Sequence, residues 1–300
     1  MLKIAFHTCF EHHLPEGHRF PMIKYHLIPQ QLLYEGVITH ANLFEPEMLD
    51  EQTLLQTHHK DYWQQLKELT LDEKHQRRIG FPLNKALVER ELRIVQGSID
   101  CALFAMQYGV ALNVAGGTHH AFTNRGEGFC LLNDFAVAAN FLLYKKLAKR
   151  ILIVDLDVHQ GNGTASIFYG SKSVFTFSMH GKYNYPFFKE KSNLDVELPD
   201  GISDYEYLQL LKENLYKIIN SFKPDFIFYQ SGVDVLQTDK YGKLNITENG
   251  CKNRDEIVFE TCKNYQIPVA VAMGGGYSPK IADIVNAHCN TFKAAAQIIL

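Results

Sequence analysis

One stretch narrows the fold more than any other: Ile151-Leu152-Ile153-Val154-Asp155-Leu156-Asp157-Val158-His159-Gln160-Gly161-Asn162-Gly163. Its apolar, β-branched opening reads as a strand buried on both faces, the kind that parallel sheets contain. Asp155, Asp157 and His159 then occupy alternate positions before two glycines. In extended chain, side chains two apart point the same way, so the three polar groups converge where the strand runs out. Buried carboxylates are costly unless paired or bound to a cation, and a metal answers that cost most simply. A turn in which the aspartates cap the next helix is the competing reading of this stretch alone.

The rest of the chain alternates in the same style. Strand-like runs cover residues 2–6, 110–114, 151–158, 174–178, 226–230 and 269–273. Between them, residues 84–107 carry Leu92, Val95, Ile99, Ala102, Leu103 and Met106 at three-and-four spacing, one apolar helical stripe. Ser203 with Glu206 makes a capping box for a helix running to about residue 222, Asn253 with Glu256 repeats the layout, and the tail from Pro279 reads as a closing helix. Such alternation predicts an α/β fold: a central, mostly parallel sheet with helices on both faces. With no repeat or Pro/Gly/Ser linker in sight, residues 1–300 read as a single domain.

Composition excludes several function classes. A formal charge of −3 supplies no basic face for nucleic acid or anionic membrane. No apolar run approaches the ~18 residues of a membrane span. The six cysteines are scattered without a C-x-x-C pair, which disfavours a thiolate zinc site or a disulfide scaffold. The expectation is a soluble, cytoplasmic protein; its oligomeric state is not readable from the sequence.

Each strand is followed by chemistry-bearing residues. Gly116-Gly117-Thr118-His119-His120 follows the second run, Met179-His180 the fourth, Ser231-Gly232-Val233-Asp234 the fifth and Gly274-Gly275-Gly276-Tyr277 the last. In an open parallel sheet all carboxyl ends share one edge, where ligands bind. Asp157, His159 and Asp234 are the expected ligands: two carboxylates balance a divalent charge, and three protein ligands leave a position for water and substrate. The set suits Zn²⁺ and also Fe²⁺. His119 and His120, brought close by the preceding glycines, are the expected proton carriers. Tyr277 is the expected stabiliser of an oxyanion. Asp155 orients an imidazole by accepting its N–H, or else caps a turn. Asn162 stands where it can partner the other histidine. The pairs His12-His13 and His58-His59 read as solvated or structural.

Taken in order, Gly116–Ala121, Gly128-Phe129-Cys130-Leu131-Leu132-Asn133-Asp134, the Asp155–Gly163 segment, Ser231–Asp234 and Gly274–Tyr277 resemble the zinc-dependent histone deacetylase family. His-Gln-Gly-Asn-Gly is similar to its class IV branch. The resemblance spans most of the chain and implies the arginase/deacetylase fold. It implies Asp157, His159 and Asp234 as zinc ligands, His119 and His120 as acid/base pair, and Tyr277 as the carbonyl-polarising hydroxyl. It further implies an acyl-lysine channel with Gly128 and Phe129 on one wall, Phe188 on the other and Tyr241 at the mouth. Asp155 and Ser178 resemble the family's structural K⁺ site. The loop at residues 79–82 offers no match to the acidic residue that grips substrate backbone in class I.

The implied activity is metal-dependent hydrolysis of an N-acyl group from a protein lysine, or, on the same scaffold, from a small acylated amine such as an acetylpolyamine. A two-metal ureohydrolase would want a D-x-H-x-D core, whereas this chain has D-x-D-x-H. A silent acyl-lysine reader would not need both histidines and Tyr277.

Overall fold

The computed structural model describes residues 1–299. Eight strands form one sheet: β1 (Lys3–Ala5), β2 (Leu43–Phe44), β3 (Val110–Asn113), β4 (Ile151–Asp155), β5 (Val174–Gly181), β6 (Leu194–Leu198), β7 (Phe226–Ser231) and β8 (Val269–Met273). Their order is β2-β1-β3-β8-β7-β4-β5-β6, and every pairing is parallel. The central strands β3, β4, β7 and β8 are buried at every position, as strands covered on both faces must be.

The helices are α1 (Lys24–Tyr34), α2 (Glu51–Leu54), α3 (Lys60–Lys67), α4 (Glu73–Ile79), α5 (Lys85–Tyr108), α6 (Asp134–Tyr144), α7 (Asn162–Ile167), α8 (Asp204–Phe222), α9 (Glu248–Tyr265) and α10 (Ile281–Ile299). One group is built on α5, which packs on α6 and on β1, β3 and β8; the other runs α1, α10, α9, α8 in series. Among the described residues no helix is long and apolar enough to cross a membrane.

The six expected strands are all present. Two edge strands went unread: β2 is only two residues long, and β6 is a partly exposed alternating segment. Helix α5 matches the expected stripe, except that Leu103 is exposed. Ser203 and Glu206 form the capping box of α8. Asn253 and Glu256 instead lie inside α9, whose cap is Thr247, its side chain accepting from the Gly250 N–H. Asp204 in turn accepts from the Thr247 N–H and hydroxyl, at 2.8 and 2.6 Å, so a neighbouring helix decides where α9 begins.

Candidate metal centre

Strand β4 ends at Asp155, and Asp157 and His159 follow in irregular chain rather than on the strand itself. They still converge. Potential ligand atoms of Asp157, His159 and Asp234 lie within 4.8 Å of one another. The His159 Nδ1 sits 3.1 Å from Asp157 Oδ1 and 3.0 Å from Asp234 Oδ2. Both aspartates are buried, while His159 keeps 12% of its side chain exposed.

Burial disfavours a charged imidazole, but hydrogen bonds and charge from the two carboxylates outweigh it and lift His159 to about 10. Burial, reinforced by the charge of Asp157, raises Asp234 to about 7. Two carboxylate oxygens crowd the one Nδ1 of His159, which can offer at most a single proton to both; a divalent ion among the three groups would balance both carboxylates. The donor set fits such an ion.

Backbone holds the ligands. Gly275 N–H donates to Asp157 Oδ2 at 2.6 Å, and Val158 N–H donates to Asp234 Oδ1 at 2.9 Å. A Cβ on Gly275 would collide with the Asp234 carboxylate, and one on Gly232 or Gly274 with that of Asp157. The glycines are there for close approach.

Beside the ligands lie the two histidines, ring centroids 4.1 Å apart. His119 Nδ1 meets Asp155 Oδ2 at 2.7 Å; His120 Nδ1 meets Asn162 Oδ1 at 2.7 Å. Burial lowers His119, yet the charge and hydrogen bond of Asp155, with the charge of Asp157, turn its net shift upward. His120 goes well below the ordinary value, through burial and then the charges of His119 and His159. The histidines are held in place by Asp134, the first residue of α6. Its carboxylate accepts from the Thr118 N–H, the Thr118 hydroxyl and the Gly117 N–H at 2.9, 2.8 and 3.2 Å. Gly116 and Gly117, at φ 88° and 71°, make the turn.

Tyr277 completes the group, its ring 6.3 Å from that of His159. Burial, then the charges of Asp234 and Asp157, keep its phenol protonated. Its N–H donates to Asp239 Oδ2 at 2.6 Å, and Asp239 Oδ1 also accepts from the Tyr241 and Gly242 N–H groups.

A cavity of about 320 Å³ leads from the surface to His120, His159 and Tyr277, with Gly128, Phe129 and Tyr241 in its lining as expected. Phe188 does not line it: that side chain is 92% exposed. Tyr185 lines it in place of Phe188, with its ring 5.0 Å from that of His120. The Tyr185 hydroxyl donates to Glu127 Oε2 at 3.0 Å, and the Asn162 amide approaches the same oxygen at 3.4 Å. The expected cation pair, Asp155 and Ser178, lie opposite each other on β4 and β5; the Ser178 hydroxyl is 2.9 Å from His180 Nδ1.

The histone deacetylase domain model matches residues 18–292. The chain belongs to the histone deacetylase family. An uncharacterised protein of Picosynechococcus sp. is 44% identical to this family member over 295 residues, 98% of each chain. Histone deacetylase 2 of Arabidopsis thaliana is 30% identical over 277 residues, 89% of this chain and 72% of that one. A solved HDAC homologue complexed with SAHA superposes at a TM-score of 0.85 with 25% identity, over 99% of this chain and 84% of that one. The chain is therefore a deacetylase-family hydrolase with the arginase/deacetylase fold, of a family that depends on a metal, usually zinc.

Several residues that brace the candidate site carry no sequence signal of their own. Lys24 is buried and donates to the Gly274 carbonyl at 2.9 Å; burial lowers it to about 8 against the pull of Asp234, Asp157 and Asp239. Arg254 on α9 is wholly buried and bonds the carbonyls of Leu156 and Gly232, the loops that carry the ligands. Gln160 anchors both β6, through Asp195, and the segment before it, through the Glu190 backbone.

Proposed function

We propose that this hydrolase removes a short acyl group from lysine side chains of proteins. The observation that carries this reading is the aromatic-walled channel, which ends at His120, His159 and Tyr277 and can sheathe the methylenes of a lysine. An inner cavity of about 40 Å³, bordered by Gly117, His119, Cys130 and Gly275, supports an acetyl group over a long chain.

Asp157, His159 and Asp234 would hold the ion, Zn²⁺ by preference or Fe²⁺. When bound, it lowers the pKa of water towards ~7 and polarises the amide carbonyl. His120 donates its Nδ1–H to Asn162, which leaves the Nε2 lone pair to take the proton from water. His119, whose protonated form Asp155 favours, gives a proton to the departing amine. Tyr277, a neutral phenol, donates to the developing oxyanion. The C–N bond breaks, the hydroxyl stays on the acyl carbon, and lysine leaves as the amine. Asp155 and Ser178 support a structural K⁺ behind the site.

The same channel could admit a small acylated amine, and a substrate panel separates the two. Acetyl-lysine peptide should be hydrolysed faster than acetylspermidine or a long-chain acyl peptide. Chelation should abolish turnover and added zinc restore it. Full activity of the metal-stripped protein, or preference for acetylspermidine, would overturn the proposal.

A further inference from the structure

The channel mouth has a charge that the whole chain does not. Against a formal net charge of −3, three cations line the opening, Arg19, Arg78 and Lys243, and no carboxylate does. They come from three separate segments: the chain before α1, the last turn of α4 and the loop before α9. All three are exposed.

Their charges are largely unspent. Among the described residues neither Arg19 nor Arg78 has a carboxylate within 4.0 Å. Lys243 has only Asp200 at 3.9 Å, and both side chains are about half exposed, a weak pair. The Arg19 guanidinium lies over the Phe129 ring at 4.9 Å and the Tyr241 ring at 5.9 Å. Such stacking occupies its face and leaves its N–H edge for an incoming acceptor, at the very walls that would receive the acyl-lysine. The carboxylate behind Tyr185, Glu127, is already held by Arg125 at 2.9 Å.

We infer that this mouth selects acyl-lysines flanked by carboxylate side chains and turns away cationic acylamines such as acetylpolyamines. A peptide with Asp or Glu beside the modified lysine brings its charges to Arg19, Arg78 and Lys243 as the lysine enters. A polyamine carries its remaining ammonium groups into the same positive field. This rests on the deacylase reading above and specifies its substrate class.

The test uses metal-loaded protein and acetyl-lysine peptides of one length, with flanking residues all Glu, all Gln or all Lys, and acetylspermidine. Binding by anisotropy with an uncharged dye and kcat/KM are both read. At low salt the Glu peptide should bind, and react, about tenfold better than the Lys peptide, with the gap shrinking at high salt. The combined R19Q, R78Q and K243Q variant should lose the preference. Arg78→Glu should improve the Lys peptide relative to the Glu peptide; being a single exposed change, it guards against a folding failure of the triple variant. Equal binding of the three peptides, a preference that survives the triple variant, or acetylspermidine as the best substrate would overturn the inference. Absence of turnover on every peptide would instead sink the deacylase reading, with the binding series still deciding the charge preference.

Discussion

At the site, single residues divide the labour by what faces them. His120 has an amide on its Nδ1, so it keeps its lone pair, while His119 has a carboxylate and keeps its proton. Asn162→Ala should therefore lower kcat about ten- to a hundredfold with little change in KM, because it frees the ring proposed as the proton acceptor. Tyr277→Phe removes the donor proposed for the oxyanion, and kcat should fall by about 10²–10³ while peptide binding persists. Steady-state kinetics on an acetyl-lysine peptide check both; a KM-only effect would place these residues in binding rather than chemistry. His119, His120 and Tyr277 could be read from sequence because each stands a few residues past an apolar strand. Tyr185 could not. It lies in a loop of four exposed aromatics, and only the path of that loop decides that Tyr183 and Tyr185 border the channel while Phe187 and Phe188 point to solvent.

Among elements, caps and glycines decide where chains turn. Thr247→Ala should cost about 1 kcal/mol by removing the real cap of α9, whereas Asn253→Ala, inside the helix, should change stability by only a few tenths. Urea unfolding of the two variants distinguishes these positions. The strands were legible because continuous apolar runs of four to six residues have few other uses. The α9 boundary was not, since Asn253 and Glu256 satisfy the local cap pattern equally well and only contact with Asp204 selects Thr247. Strand β2 is not legible either, because two residues beside β1 carry no period of their own. Gly275→Ala should weaken metal binding by about tenfold or more, because a methyl would displace the Asp234 carboxylate; competition with a chromogenic chelator measures it.

For the molecule as a whole, one source of acid sensitivity lies in the core, away from the candidate metal ligands. His58 is buried and its Nε2 accepts the Asn133 N–H at 3.0 Å, next to the Asp134 clamp. Burial, opposed by the carbonyls of Thr123 and Phe122, lowers it to about 4. Its folded value lies below its unfolded value, so the unfolded chain binds the extra proton between them. Its stabilisation is thus complete above ~6.5 and is lost as pH falls towards 4, by about 3 kcal/mol. Urea midpoints from pH 7 to 4.5 should fall more steeply in the parent than in His58→Asn; parallel slopes would assign the loss elsewhere.

The buried Arg254 guanidinium joins the loop after β4 to the loop after β7. The segments that carry Asp157 and Asp234 are therefore braced against each other by one buried side chain. Truncating that brace, as in Arg254→Met, should disturb both carboxylates at once, so that metal affinity and melting temperature fall together.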